Sequence, residues 1–339
     1  MSRLFVNGLG AVSPAGWSVE ALRNSIQNAK VPANSCVQRP GWPQPLACWR
    51  VPPPNPVPAA FSHARLRRTT PITSFAASAT LQAIADAKAD PKTERIGMIL
   101  CVLAGCVQFT KRFYHEAWKD PSTASPLVFA ETVFNAPSSH IAAILPSAAI
   151  NYTLLGDSSA FLEGIALAAG WLEDGVVDGC IVVGAEEIDW PTLDAFKLFS
   201  ARVPCSEGAG AIYVSLRPSD SAVEVVSITD PYVYCDKLGR AHATKCVRAD
   251  LSAPSRKTLL CDARAGSDRY DAADTAAWRD WSGLRISPKT ILGEAMMASG
   301  AWQCVAAIDA VRQKVADSAL VSISGCLQQA VGACFARNK

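Results

Sequence analysis

Histidine is scarce in this chain: four in 339 residues, His63, His115, His140 and His242. They follow no spacing and none lies beyond His242, so each reads as structural or exposed rather than catalytic. Excess charge is missing too. Thirty-two basic residues face 30 acidic ones, a net charge of +2, which gives no case for nucleic acid as a bulk partner. No apolar run reaches the roughly 18 residues of a membrane helix. The start, Met1 to Asn7, lacks the apolar segment and small-residue cleavage site of an export signal and reads as a strand. No Cys-x-x-Cys occurs among the 12 cysteines, so metal-ligand spacing is absent and no metal or other cofactor is expected. Cys101, Cys180, Cys261, Cys304 and Cys334 sit inside apolar runs, where a reduced thiol packs as a small hydrophobe. A reducing cytoplasm is the expected setting.

What the chain does have is hydrophobic mass. Half its residues are hydrophobic and 18% are charged, enough for one large domain or two coupled halves. The most informative stretch is Asn151 to Ile165. It reads as a strand, a tight turn at Gly156 and a helix starting near Ser158 or Ser159. Two readings stand there. Ser158 is a nucleophile on an elbow, or Asp157 and Ser158 simply cap a buried helix.

Leu4 to Pro14 reads as a strand running into a glycine-rich turn, with glycines too close together for a dinucleotide site. A short helix follows over 19–28. Residues 32–58 are dense in proline and predict a long surface excursion. Arg65, Arg67 and Arg68 form a basic cluster, either a solvated face or a docking patch for an acidic partner. Helical spacing covers 71–89, and a near-continuous apolar run at 95–105 predicts a strand covered on both faces. Further strands are expected over 177–184, 206–214, 222–228, 258–262, 320–324 and 330–336. A turn and helix fall within 125–144, a long helix over 295–315, and Tyr232 to Lys237 reads as loop. The alternation implies βαβ units in a mainly parallel or mixed sheet. Two such halves, 1–215 and a shortened 216–339, suggest internal duplication.

Five of these stretches together resemble the β-ketoacyl-carrier-protein synthases of the thiolase fold. They are Val6 to Pro14, Asn151 to Thr153 with its elbow, Asp178 to Glu186, Glu207 to Ala211, and Lys289 to Glu294 with Ala298 to Ala301. The resemblance implies an α/β fold, a layered α-β-α-β-α sandwich of two related halves. It implies a cysteine nucleophile and two histidines, and these are not carried over. The cysteine position falls on Ser158, the histidine positions on Arg264 and Glu294, and only Lys289 is retained. The loop usually rich in glycine near the C-terminus reads Ser324 to Gln329. A serine needs an adjacent base. Arg264 beside Glu294 would hold that carboxylate ionised, so an Arg264–Glu294 pair is expected as a plug in a former active site.

The resemblance therefore implies a non-catalytic subunit similar to a chain-length factor. It would form a heterodimer with an active ketosynthase in a type II fatty-acid or polyketide system. Residues 131–140 resemble the synthase-like subunits of aryl polyene clusters. Acyl chains would arrive on the phosphopantetheine of an acyl carrier protein, which Arg65, Arg67 and Arg68 would dock. Tunnel contacts are expected in 101–110 and 131–141, with Phe109 and Phe134 either tunnel blockers or ordinary core. The alternatives are a Ser158-dependent acyltransferase or thioesterase acting on carrier-protein thioesters, and a module that binds without chemistry.

Overall fold

The structure, a computed structural model, describes residues 3–146, 148–198, 200, 202–253, 255, 257–326 and 329–338. The first half runs β1 (Leu4–Val12), α1 (Val19–Gln27), β2 (Ser35–Val37), β3 (Leu46–Trp49), α2 (Pro71–Ala87), β4 (Ile96–Val102), α3 (Val107–Lys119), α4 (Pro126–Phe129), α5 (Ala136–Ile144), β5 (Ala148–Leu155), α6 (Ala160–Glu173), β6 (Gly179–Glu186), α7 (Trp190–Phe196), β7 (Cys205–Ser206) and β8 (Gly208–Ser215). The second runs β9 (Val223–Ile228), β10 (Tyr232–Val233), α8 (Lys237–Asp250), β11 (Thr258–Cys261), α9 (Asp268–Ala277), β12 (Leu284–Ile286), α10 (Pro288–Leu292), α11 (Met297–Arg312), β13 (Ser318–Ser324) and β14 (Gln329–Arg337).

The main sheet orders its strands β5-β4-β6-β8-β1 in the first half and β12-β11-β13-β14-β9 in the second. Numbered within its own half, each order is 3-2-4-5-1. The directions match as well. β4 is parallel to β5 and β6, as β11 is to β12 and β13. β8 runs antiparallel to β6 and β1, as β14 does to β13 and β9. Antiparallel pairing of β1 with β9, Leu4 opposite Val225, joins the two. The shorter second half thus keeps the full strand order.

Helices α6 and α11 lie between the halves. α6 packs on β4 and β6 on one side and on β14 on the other; α11 touches β6 and β8, and also β11 and β13. α2 covers the outer face of the first half, and α8 the outer face of the second. The result is the layered α-β-α-β-α sandwich. It explains why α11 is apolar or small around nearly its whole circumference, from Met297 to Val311, and buried at every position of that stretch but Ala310.

Two local expectations are corrected. Gly8 and Gly10 make no turn; β1 continues through both. A Cβ on Gly10 would come 1.9 Å from the Ala79 carbonyl oxygen, and one on Gly8 1.9 Å from that of Ala83. The glycines let α2 lie directly on the strand. The stretch Tyr232 to Lys237, expected as loop, instead holds the short strand β10 and the first residue of α8, which runs on over Lys237–Asp250. Asp236 caps it by accepting the Gly239 N–H at 2.6 Å. Its inward stripe is Arg240, Ala243, Thr244 and Val247, and the charged and hydroxyl members mask the helical period.

Gly10→Ala is expected to destabilise the fold by about 3 kcal/mol in chemical denaturation, since backbone on both sides must move. Gly170→Ala in α6, where an added Cβ meets nothing within 4 Å, is expected to stabilise by about 0.5–1 kcal/mol.

Candidate functional site

The elbow forms as the residues dictate. β5 ends at Leu155, Gly156 follows, and α6 begins at Ala160. Gly156 is required by space rather than by a left-handed backbone: a Cβ would stand 2.7 Å from that of Ala160. Ser158 is fully buried, and its Oγ has no hydrogen-bond partner. Asp157 does not cap the helix in the ordinary way. Its Oδ1 accepts the N–H of Ser158 at 2.9 Å and that of Cys326 at 3.2 Å. The Ser159 hydroxyl donates across to the Gln329 carbonyl at 3.3 Å. The second half therefore closes over the elbow. Gly325 has no room for a side chain because the Asp157 carboxylate lies 1.7 Å from where its Cβ would be. Gly300 on α11 likewise admits the Ser158 carbonyl oxygen, 2.1 Å from a would-be Cβ. Leu327 and Gln328 of the C-terminal loop lie outside the described residues.

The expected Arg264–Glu294 plug is not what the fold builds. Arg264 follows β11 and turns back on Asp262, with Nε 2.8 Å from Oδ2 and a further contact to the Ser287 hydroxyl. Arg285 also approaches Asp262, at 3.5 Å. Glu294 pairs instead with Lys289, Nζ to Oε2 at 2.7 Å, both side chains wholly buried. The reason is local. α10 ends at Gly293, whose φ of 77° only glycine takes readily, and the chain turns so that residues 289 and 294 face each other. Glu294 also accepts from the Tyr270 hydroxyl at 3.1 Å and the Met296 N–H at 2.8 Å. Its main chain pairs with Pro204 and Ser206.

Burial pushes the Lys289 ammonium down, but the charge and hydrogen bond of Glu294 outweigh it and hold its pKa above the usual value. Lys289 is thus a fixed cation and Glu294 a carboxylate already holding three donors. Neither contacts Ser158 among the described residues, and no histidine does. His63 accepts the Arg65 N–H, His140 pairs with Glu131 at 2.8 Å, His242 meets Cys246, and His115 lies on the exposed side of α3. Beside the pair, Cys326 is pushed up to about 12 by burial, so it holds its proton and offers no thiolate.

Of the other expected residues, Phe109 is half-buried on α3. The Phe134 ring, 42% exposed, covers Gly105, where a Cβ would meet it at 2.6 Å. Arg65, Arg67 and Arg68 are exposed, with no ion pair among the described residues. The 101–110 segment is held by two buried acids that sequence reasoning passed over. Glu186 accepts the N–H groups of Leu103 and Ala104, and Glu187 those of Ile72 and Gln108. Arg240, Tyr270 and Cys326, also overlooked, stand together near the pair. Arg240 lies 3.3 Å from Asp274 and 4.6 Å from the Tyr270 ring centre.

The comparisons agree with this geometry. Residues 53–208 match the family model "Beta-ketoacyl synthase, N-terminal domain". No curated protein matches. Among solved structures, the ketosynthase complex AntDE:AntF aligns at TM-score 0.81 and 16% identity over 99% of both chains. The ishigamide ketosynthase/chain length factor aligns at 0.80 and 16% over 100% of both. The ketosynthase ApeO in complex with its chain length factor ApeC, from Xenorhabdus doucetiae, aligns at 0.80 and 13% over 99% of this chain and 98% of that one. Residues 53–208 are thus similar to the ketosynthase N-terminal domain, and the fold of these ketosynthase structures extends over the whole chain. No helix among the described residues is long and apolar enough to cross a membrane.

Lys289→Met is expected to cost about 3–5 kcal/mol, because Glu294 is left as an unpaired buried charge. Adding Glu294→Gln should recover much of that loss in the same denaturation assay. A second expectation concerns pH. Burial raises Glu186 to about 8 and Glu187 to about 7. The folded state then binds more protons than the unfolded, so stability from these groups is complete below about pH 4.5 and is lost as pH rises through 7–8. Glu187→Gln should make the fall of stability between pH 5 and 8 shallower; an unchanged slope would refute this assignment.

Proposed function

We propose that this chain is a non-catalytic subunit of the chain-length-factor type. It pairs with an active β-ketoacyl synthase and forms part of the wall of that partner's acyl tunnel. The observation that carries the reading is the condition of Ser158. The elbow and its helix are intact, yet the hydroxyl is buried with no base, and the nearby charges are locked in Lys289–Glu294. An alcohol so placed is a weak nucleophile, which disfavours Ser158-dependent acyl transfer.

The pairing face follows from the sheet. β5 ends the strand order, so among the described residues one side of its backbone has no neighbouring strand. Tyr152 and Leu155 on β5 are 49% and 54% exposed, and Trp118, Leu127 and Phe129, on α3 and α4 earlier in the same half, are exposed as well. An apolar edge of this kind needs covering. Two of the structures of like fold are described as a ketosynthase with its chain length factor, which supports a heterodimer here. Phe109 and Phe134 belong to the same region and are our choice for the tunnel wall. Arg65, Arg67 and Arg68 are our choice for docking an acidic carrier protein, an attraction that salt would weaken. We place the system among type II fatty-acid or polyketide pathways, with an aryl polyene as the product class.

Co-expression with a ketosynthase that has its cysteine and histidines tests the reading. A stable heterodimer is expected, with turnover changed less than about twofold by Ser158→Ala and with assembly abolished by Tyr152→Glu plus Leu155→Glu. An intact dimer that loses turnover on Ser158→Ala would contradict it.

A further inference from the structure

Helix α8 buries the stripe of Arg240, Ala243, Thr244 and Val247 and turns its other side outward. On that outer side stand two metal-ligating side chains one turn apart, His242, exposed, and Cys246, half-buried. Residues four apart on a helix are surface neighbours, and these two meet: the Cys246 Sγ lies 3.5 Å from the His242 Nε2. That separation is the one a chelated ion needs. A zinc or cobalt ion held tetrahedrally, about 2.3 Å from sulfur and about 2.0–2.1 Å from nitrogen, sets the two ligand atoms about 3.5–3.6 Å apart. The Cys-x-x-Cys criterion passes over such a pair, because the helical repeat rather than a turn brings its ligands together.

The surroundings favour a cation. Asp250 continues the same row of the helix and accepts the Tyr232 hydroxyl at 2.6 Å. Tyr232 itself is placed by the pairing of β10 with β14. Arg248 is drawn away onto Asp280, at 3.0 Å, and over the Trp278 ring, 4.4 Å from its centre. Lys245 is then the remaining cation of this stretch of α8, and it is exposed. Among the described residues no group of three histidines, cysteines or carboxylates makes a full coordination set. Water therefore fills the other positions, which makes the ion exchangeable. Sulfur together with imidazole nitrogen selects borderline-soft ions over magnesium or calcium.

We propose that His242 and Cys246 form a two-ligand site for a borderline-soft divalent ion such as zinc. Binding breaks the Cys246 S–H bond, forms a metal–thiolate bond and releases one proton to solvent. The His242 Nε2 gives its lone pair to the ion while the ring proton stays on Nδ1. The site lies on the outer face of the second half and does not depend on the pairing function proposed above. Titration of the reduced full chain with cobalt(II), followed by zinc, tests it. One cobalt per chain with sulfur-to-cobalt charge-transfer absorption is expected, and zinc should bleach that absorption. Cys246→Ser should abolish it, and His242→Ala should weaken binding by at least about tenfold. Both positions lie off the buried stripe of α8. Cys235→Ser, at another exposed cysteine, should leave binding unchanged. Absence of the thiolate absorption would overturn the proposal. So would absorption that survives Cys246→Ser or is lost with Cys235→Ser, or equal affinity in His242→Ala.

Discussion

Two opposite charges, both wholly buried, sit inside this fold. Lys289 and Glu294 are wholly buried and 2.7 Å apart, and neither could remain alone there at acceptable cost. Their pairing fixes more than themselves. Glu294 holds Tyr270 and the Met296 N–H through its side chain, and Pro204 and Ser206 through its main chain. It thereby ties α10, the start of α11, Pro204 with strand β7, and helix α9 into one unit.

The elbow survives in this setting for reasons of packing. α11 crosses so closely over Ser158 that only glycine fits at 300, and the C-terminal loop approaches Asp157 so closely that only glycine fits at 325. A change in the path of β5 into α6 would disturb both approaches. The side chain at 158, though wholly buried, is held by no hydrogen bond. The geometry of the elbow therefore does not depend on any hydrogen bond made by the side chain at 158.

Much of this was legible in the sequence. Continuous apolar runs marked β4 and β6 because both faces of those strands are covered. The elbow was readable because strand, glycine and helix follow within ten residues. What was not legible involved partners distant in the chain. Gly8 and Gly10 look like a turn unless α2 is known to lie on them. The stripe of α8 is obscured by Arg240, which is inside because Asp274 and Ser324 receive it. Arg264 was assigned to Glu294 by position, yet Asp262 is only two residues away and Lys289 is better placed for the glutamate. Buried Glu186 and Glu187 gave no signal at all, because the groups they satisfy are backbone N–H groups more than seventy residues earlier.

The central claim is that Ser158 stands on an intact elbow without the means to act as a nucleophile. Intact-protein mass spectrometry after incubation with an acyl-carrier-protein thioester addresses it directly. The account predicts an unchanged mass for this chain, with any acyl group found on the partner synthase. A mass increase of one acyl group, mapped by peptide analysis to Ser158, would contradict it.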